Sequence, residues 1–267
     1  MLMHDLLLQL LLFGQLVHTE LPHTPPPHPL LLLERDLENL NCLFFRRNCS
    51  NHLADLSSAD RLFWKIMAPG APEPPKLNTV KLEIYLESQC PDTSRFIHAQ
   101  LMKAWSLLSP TGRIELTLVP FGKARCLTKG DDFECSCQHG ANECILNQLM
   151  NCVIDRLGFP DKIVPIINCI QGKRNLDDAM TSCITNNALL NEQQMRDCAT
   201  GPRGRRLLAL AGSRTASLQP RLDFVPWIVI SGERNGDALY DLTENLCKSL
   251  EPAPEQCSSY VQNENNQ

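Results

Sequence analysis

Cys90 is the residue of this chain that is best placed to do chemistry, because it lies between an alternating apolar segment and the start of a predicted helix. The alternation in Val80–Leu86 predicts a half-buried strand, and Pro91 is typical of the first position of a helix. Apolar residues then recur at helical spacing up to Pro110. Unpaired backbone N–H groups at a helix start stabilise a thiolate, so the position predicts a nucleophilic cysteine. The alternative is that Cys90 is one half of a structural disulfide.

Pro226 is the second residue that indicates thiol chemistry. It interrupts an apolar stretch at residues 224–230 that otherwise predicts a strand. Proline is excluded from the interior of a sheet unless it is cis, at an edge or at a bulge. Thioredoxin-like folds place a cis-proline beside the reactive cysteine, and Val225–Pro226 would fill that role here. An ordinary edge-strand proline is the other interpretation.

The 13 cysteines indicate the compartment of the chain. Oxidising compartments tolerate so many cysteines as disulfides, whereas in the cytosol they are an oxidation hazard unless they hold metal. An apolar run at residues 6–13 predicts a signal peptide at residues 1–19. A Pro-rich stretch at residues 22–29 interrupts the apolar N-terminal part, so we expect no stable membrane insertion. The net charge of −5 provides no positive field for phosphate backbones, which excludes nucleic acid as a partner.

Residues 20–79 are predicted to form a Pro-rich leader or pro-segment, since both of its ends have the composition of an extended linker. This part contains Cys42, Cys49 and a sequon at Asn48, which predicts glycosylation. The sequence leaves open whether Cys42 and Cys49 pair with each other or with Cys90.

A folded domain is predicted for residues 80–257, followed by a disordered tail at residues 258–267. Its second strand is predicted at Ile114–Pro120, where apolar and polar residues alternate. The segment at about residues 126–212 carries eight cysteines and several helical patterns, so we expect a helical, disulfide-rich insertion there. A last helix is predicted near residues 237–250.

The segment from Cys137 to Cys152 has a specific pattern of polar residues and cysteines. Three cysteines stand at fixed spacing with Gln, His, Gly, Glu and Asn between them, and this pattern resembles the signature of the gamma-interferon-inducible lysosomal thiol reductase (GILT) family. Its positions in this chain are Cys137, Gln138, His139, Gly140, Glu143, Cys144, Asn147 and Cys152. The resemblance extends from about residue 80 to residue 257.

The resemblance implies an α/β protein with a thioredoxin-like fold and a helical, disulfide-rich insertion. It also implies a soluble glycoprotein, secreted or lysosomal in the endocytic pathway, that reduces the disulfides of protein substrates. The catalytic pair of the family is a C-x-x-C motif at the start of the first helix, and here that motif reads Cys90-Pro91-Asp92-Thr93. The resemblance therefore assigns the nucleophile to Cys90 and the cis-proline of the substrate groove to Pro226, but Thr93 stands in place of the resolving cysteine.

Thr93 changes the chemistry that we expect. In thiol–disulfide exchange a first thiolate forms a mixed disulfide, and a second thiol then releases the product. Because Thr93 lacks a thiol, release has to come from an external thiol such as cysteine or glutathione, from a substrate thiol or from another cysteine; no bound cofactor is expected. The Thr93 hydroxyl is a candidate donor to the Cys90 sulfur, and Asp92 would oppose ionisation of that sulfur if it faced it. The alternative function is that of a catalytically impaired, disulfide-stabilised secreted binding or immune-associated protein.

Ten further cysteines suggest five disulfides. They are Cys126, Cys135, Cys137, Cys144, Cys152, Cys169, Cys183, Cys198, Cys247 and Cys257. Cys126 with Cys135 and Cys247 with Cys257 are plausible short loops, but the sequence does not fix the connectivity.

Cys144 is subject to a geometric constraint and to a competing interpretation. It lies eight residues before Cys152 on one predicted helix, about 12 Å away along the axis, so the two exceed the roughly 7 Å limit for a disulfide and need different partners. The competing interpretation is a zinc site of Cys135, Cys137, His139 and Cys144, but the spacing is tight and an oxidising compartment favours disulfides. We therefore expect no metal there, and we expect His139 to be a hydrogen-bonding residue at a turn before the helix.

Overall fold

The structure, a computed structural model, describes residues 76–261. The predicted signal peptide, the leader up to residue 75 with Cys42, Asn48 and Cys49, and residues 262–267 lie outside this range. None of the helices in residues 76–261 is long and apolar enough to cross a membrane.

A four-stranded sheet forms the centre of the described residues, with the order β2-β1-β5-β6. Its strands are β1 (Val80–Leu86), β2 (Ile114–Pro120), β5 (Trp227–Ile230) and β6 (Glu233–Arg234). Both N-terminal strands match their predicted bounds, and they run parallel, with Leu86 opposite Pro120. Strands β5 and β6 are antiparallel to their neighbours. Because parallel neighbours need a long crossover connection, a helix follows β1 and carries Cys90 at its start.

Helices account for most of the remaining chain. The helix after β1 has three parts, α1 (Pro91–Phe96), a π-helical segment (Ile97–Leu101) and α2 (Met102–Leu108). The later helices are α3 (Ala141–Leu157), α4 (Pro160–Ile170), α5 (Leu176–Ala179), a π-helical segment (Met180–Ile184), α6 (Glu192–Thr200), α7 (Pro202–Ala216), α8 (Leu242–Ser249) and α9 (Ser258–Val261). Short 3₁₀ turns lie at Ser109–Thr111, Asp237–Leu239 and Glu255–Cys257.

The sequence marks several of these helix starts. Proline stands in the first turn of α1, α4 and α7, where its missing N–H and fixed φ cost nothing. Asn175, Asn191 and Asp241 cap α5, α6 and α8, because each side-chain oxygen accepts a hydrogen bond from the backbone N–H three residues later.

Both faces of the sheet pack against helices. Leu82, Ile84 and Leu86 of β1 pack into a large cluster with residues of α3 and α4, such as Leu149 and Ile167. The residues of the other face form a second cluster, which contains Tyr85, Val119, Trp227, Val229 and, from α7, Leu208 and Ala211. The helical insertion therefore completes the core of the sheet.

The insertion predicted at residues 126–212 begins differently from the prediction. Strands β3 (Arg125–Lys129) and β4 (Asp132–Ser136) form an antiparallel hairpin before the first helix of the insertion. Cys126 and Cys135 face each other across this hairpin and form a disulfide with a Cα–Cα distance of 4.1 Å. The helical, disulfide-rich insertion is confirmed between residues 141 and 216, but the cysteine density concealed the short strand pair with which it begins.

Two boundaries at the ends of the domain also differ from the prediction. Residues 258–267 were expected to form a disordered tail, but Ser258–Val261 is helical. Residue 78 was assigned to the leader, yet Asn78 accepts hydrogen bonds from Arg113 at its backbone O (2.9 Å) and at its Oδ1 (2.6 Å). Arg113 also donates to the carbonyl oxygens of Glu251 (2.8 Å) and Pro252 (2.7 Å), so it fastens both ends of the domain together.

Pro226 is outside the strand that the sequence analysis placed around it. Strand β5 begins at Trp227, so the proline precedes the strand and removes no hydrogen bond from the sheet. The Val225–Pro226 peptide bond is cis.

Five disulfides connect ten cysteines of the described residues. The pairs are Cys126–Cys135, Cys137–Cys144, Cys152–Cys198, Cys169–Cys183 and Cys247–Cys257. Cys144 and Cys152 have different partners, which their separation on α3 requires. The zinc set that the sequence analysis weighed is ruled out by these bridges, since its three cysteines have no free thiolate.

Candidate active site

Cys90 is the only unpaired cysteine among residues 76–261. It is the N-cap residue of α1, with an extended backbone, and its side chain lies in a largely buried position with 8% of the residue exposed. Ser94 Oγ and Ser94 N both donate to the Cys90 carbonyl oxygen at 3.0 Å, so the first turn of the helix starts at Cys90 itself. The structure thus places a free thiol at the junction of β1 and α1.

The turn before Cys90 is held from two directions. Asn147 of α3 accepts from the Ser88 N–H through Oδ1 at 2.9 Å, and Ser88 Oγ donates to the Glu143 carbonyl oxygen at 3.2 Å. On the other side, Gln171 Nε2 donates to the carbonyl oxygens of Glu87 (2.8 Å) and Ser88 (3.0 Å). Glu87, Ser88, Asn147 and Gln171 are all buried, so these bonds are protected from water and fix the backbone that positions the thiol.

Thr93 occupies a fully buried position, with 0% of the residue exposed. Its Oγ1 has no hydrogen-bond partner among the described residues, so the expected bond from Thr93 to the Cys90 sulfur is absent there. Asp92 forms an exposed ion pair with Arg95 at 3.1 Å. Neither side chain is therefore bonded to the sulfur.

Val225 and Pro226 lie against Cys90. The Cys90 sulfur is 3.8 Å from the Val225 carbonyl oxygen, a contact in which the thiol is the donor. Val225, Pro226 and Trp227 are buried. The structure thus brings together a free cysteine and a cis-proline that are 136 residues apart in the sequence, the arrangement that the sequence analysis predicted from Pro226.

The signature residues surround the start of α3 rather than the thiol. Cys137–Cys144 and Cys152–Cys198 are disulfides, Gln138 is exposed, and Gly140 has φ of 100°, a conformation that disfavours other residues. Among them, Asn147 acts on the site through Ser88, as described above. His139 Nδ1 is 2.6 Å from Glu143 Oε2, and the His139 N–H donates to Glu143 Oε1 at 3.0 Å. His139 is therefore a hydrogen-bonding residue at the turn before α3.

Glu87 adds a buried carboxyl group next to His139. Its Oε1 accepts from the Lys123 N–H at 2.6 Å, while its Oε2 is 3.6 Å from His139 Nδ1. Burial raises the pKa of the Glu87 carboxyl, the hydrogen bond from Lys123 opposes the rise, and the negative charge of Glu143 adds to it. Gly122, with φ of 61°, permits this packing, because a Cβ there would lie 2.2 Å from Glu87 Cγ.

Glu87, Ser88 and Gln171 were not predicted from the sequence as residues of the site. Glu87 directly follows the apolar strand β1. A charged residue at the end of a buried segment could have indicated that it belongs to the site, because glutamate is rarely buried without a partner. Gln171 stands in a loop after α4 without any local pattern, and only the fold brings it to the turn at residues 87–90.

Comparison with known proteins identifies the family to which the chain is related. Residues 81–187 match the family model described as gamma interferon inducible lysosomal thiol reductase (GILT). A GILT-like protein of Caenorhabditis elegans is 59% identical over 187 residues, which is 70% of this chain and 58% of that protein. This chain therefore spans less than two thirds of that relative.

Two further proteins are similar over most of their length. The gamma-interferon-inducible lysosomal thiol reductase of Carassius auratus is 31% identical over 65% of this chain and 71% of that protein. The crystal structure of DsbA from Chlamydia trachomatis has a TM-score of 0.49 and 13% sequence identity, over 64% of this chain and 86% of that one. With its parallel β1–α1–β2 unit, its free cysteine beside a cis-proline and its helical insertion, the chain has a thioredoxin-like fold and belongs to the gamma-interferon-inducible lysosomal thiol reductase family.

Proposed function

We propose that this protein exchanges thiols and disulfides through one reactive cysteine, Cys90. The observation that carries this proposal is the position of Cys90, which is unpaired, at a helix start and 3.8 Å from the Val225 carbonyl that precedes cis-Pro226. The buried Thr93 stands where the family has its resolving cysteine. The catalytic set is therefore Cys90, with Pro226 shaping the substrate groove and Thr93 as a neighbour without redox chemistry.

The reaction has two exchange steps and then a further reduction. The Cys90 thiolate attacks one sulfur of a substrate disulfide, forms a mixed disulfide and releases the other substrate sulfur as a thiolate. An external thiol such as cysteine or glutathione then attacks the mixed disulfide on the substrate sulfur, which regenerates Cys90 and leaves a disulfide between the substrate and the external thiol. A second external thiol reduces that disulfide. The net change is one substrate disulfide reduced to two thiols and two external thiols oxidised to one disulfide.

The substrates we propose are exposed disulfides of proteins in an acidic or extracellular compartment. The five disulfides of the described residues support an oxidising location, because such bridges persist outside the cytosol. The signal peptide at residues 1–19 and a glycan at Asn48 belong to the same proposal of a secreted or lysosomal glycoprotein.

A second candidate function is favoured by Thr93. Without a resolving thiol, a mixed disulfide at Cys90 persists until an external thiol arrives, and a long-lived adduct is a binding event rather than a turnover. In this candidate the protein is a secreted binding or immune-associated protein that has kept the fold and lost turnover.

Trapping of the mixed disulfide tests the proposal. The full-length protein is mixed with an excess of a disulfide-bonded peptide at acidic and at neutral pH, and the adduct is located by mass spectrometry, with Cys90→Ser as the control. The proposal predicts an adduct at Cys90 only, whose decay rate rises in proportion to the glutathione concentration. A folded protein that forms no adduct contradicts the exchange proposal, and an adduct that glutathione does not release supports the binding protein.

A further inference from the structure

Three side chains with metal-binding atoms converge beside the turn that carries Cys90. Glu87, His139 and Glu143 each contribute one such atom, and these atoms lie within 4.8 Å of one another. Glu87 comes from the end of β1, Glu143 from the first turn of α3 and His139 from the loop before it. The convergence is therefore produced by the fold and not by one short motif.

Helix capping explains only part of this cluster. Glu143 is the third residue of α3, and its Oε1 accepts the His139 N–H, which is ordinary for a carboxylate at a helix start. Glu87 has no such explanation, since its side chain is 1% exposed and its Oε2 has no hydrogen-bond partner among the described residues. A buried carboxylate oxygen without a partner costs free energy, and this one faces His139 Nδ1 at 3.6 Å.

Both carboxyl groups are held in the same way. In each, a backbone N–H fixes one oxygen, from Lys123 to Glu87 Oε1 at 2.6 Å and from His139 to Glu143 Oε1 at 3.0 Å. The other oxygen of each is directed at His139 Nδ1. Fixing of the ligands by surrounding hydrogen bonds is a feature of protein metal sites.

We propose that Glu87, His139 and Glu143 bind a divalent cation of the zinc class, with Zn²⁺ as its representative. Two carboxylate oxygens and one imidazole nitrogen are a ligand set that Zn²⁺ accepts, with water in the fourth position. The imidazole disfavours Ca²⁺ and Mg²⁺, which prefer oxygen ligands. The two positive charges balance the two buried carboxylates, and His139 binds as the tautomer that has Nδ1 free and its proton on Nε2. The proposal is independent of the thiol chemistry at Cys90.

The distances from the carboxylates to the imidazole require only small movements. Tetrahedral Zn²⁺ with bonds of about 2.0–2.1 Å places its ligand atoms about 3.3 Å apart. The His139 Nδ1 to Glu87 Oε2 distance of 3.6 Å has to close slightly, and the His139 Nδ1 to Glu143 Oε2 distance of 2.6 Å has to open. The His139 side chain is 31% exposed, so the cation has a path from solvent through the imidazole side.

Zinc titration with matched variants tests this site. Isothermal titration calorimetry with Zn²⁺ is performed on full-length protein without a tag, with Cys90→Ser as the background so that the thiol is not a ligand. Five of the seven histidines precede residue 76 and are potential zinc ligands outside the proposed site, so the readout is the loss of one binding class. Glu87→Gln and His139→Gln are compared with His98→Gln, which removes an exposed histidine elsewhere. Circular dichroism verifies that each variant is folded.

The proposal predicts that one class of zinc binding disappears, or that its affinity falls at least about 100-fold, in Glu87→Gln and His139→Gln. The same class should stay unchanged in His98→Gln. Residues that only support metal ligands typically cost about 10–100-fold in affinity when they are replaced, so the expected loss is larger. A second readout needs no variant in the cluster: Co²⁺ added to the Cys90→Ser protein should give the intense visible bands of a tetrahedral site. Zinc binding that is equal in all variants overturns the proposal. So does a Co²⁺ spectrum that stays that of the hydrated ion.

Discussion

Placing a thiol at position 93 tests whether the site around Cys90 can still support thiol–disulfide exchange. Thr93 is fully buried three residues after Cys90, and the helical ladder already includes Cys90 through the Ser94 N–H. Residues three apart on a helix have Cα atoms about 5 Å apart, within the roughly 4.4–6.8 Å range of disulfides. Thr93→Cys therefore places a second thiol at a Cα separation that permits a disulfide with Cys90.

The cost to folding should be small. The substitution removes one buried methyl group, worth about 1 kcal/mol, but it also removes a hydroxyl that has no partner in the described residues, whose burial costs about 1–3 kcal/mol. We expect the free energy of unfolding to change by less than about 2 kcal/mol.

The new thiol should release the mixed disulfide much faster than external glutathione does. Even a modest effective concentration of ~1 M for the new thiol exceeds ~1 mM external glutathione by about 10³, and well-oriented groups reach higher effective concentrations. Release of the mixed disulfide should therefore accelerate about 10³-fold and become independent of glutathione.

The assay is a single turnover. Mixed disulfide at Cys90 is formed with a peptide disulfide, and its decay is followed by acid quench and mass spectrometry at several glutathione concentrations. Thr93→Ser retains the hydroxyl and Thr93→Val retains the shape, and both should behave like the unchanged protein. If Thr93→Cys is folded and its introduced thiol forms a disulfide with Cys90 on oxidation, yet the variant shows no faster release, the reasoning is refuted and the groove has lost its function.

Three further predictions concern the framework of the site. Arg113→Met should destabilise the fold by about 2–4 kcal/mol in urea unfolding, because it removes four charge-assisted hydrogen bonds, and Arg113→Lys should recover less than half of this loss. Asp132→Asn should reduce stability at neutral pH but not at the lowest pH, because hydrogen bonds from α7 hold the pKa of Asp132 below its ordinary 3.8. A carboxyl group whose pKa is lowered in the folded state stabilises the fold at pH values above its ordinary pKa. This stabilisation is lost as the pH falls through the pKa of the folded state. Gly122→Ala should cost at least about 2 kcal/mol, since its Cβ would meet Glu87, whereas Gly112→Ala, with a similar φ and open space, should cost only about 1 kcal/mol.

Each of these has an outcome that contradicts it. Equal stability of Arg113→Met and the unchanged protein would mean that water replaces the guanidinium at the domain ends. A stability difference for Asp132→Asn that persists at the lowest pH would mean that the lost charge is not the cause. Equal costs for the two glycine variants would mean that the contact with Glu87 relaxes freely.

Local patterns in the sequence were sufficient for part of the fold. The alternation in β1 and β2 gave both strands with their bounds, because each strand has apolar residues at every second position and a clear break after it. The hairpin of β3 and β4 was missed because its residues are mostly exposed and leave no apolar alternation. Pro226 was correctly connected with Cys90, but the strand beside it begins at Trp227, three residues later than the apolar stretch suggested.

The polar framework of the site could not be predicted in the same way. Gln171 and Glu87 are 84 residues apart in the sequence, and their hydrogen bond depends on how α4 packs beside β1. Neither the glutamate at position 87 nor the glutamine at position 171 predicts, by its residue type, a contact with the other. Such contacts follow from the tertiary fold and leave no periodic signal in the chain.

The role of the signature follows from the same contacts. Its residues form no bond with the Cys90 sulfur, yet Asn147 and the Glu143 carbonyl both bind Ser88, two residues before the thiol. The bonds of Gln171 act on the same turn from the other side, and none of these bonds involves Thr93. In the proposed function, threonine at position 93 therefore leaves these bonds intact and removes only the internal thiol that would release the product. This is the physical reason to expect a working exchange site that depends on external thiol.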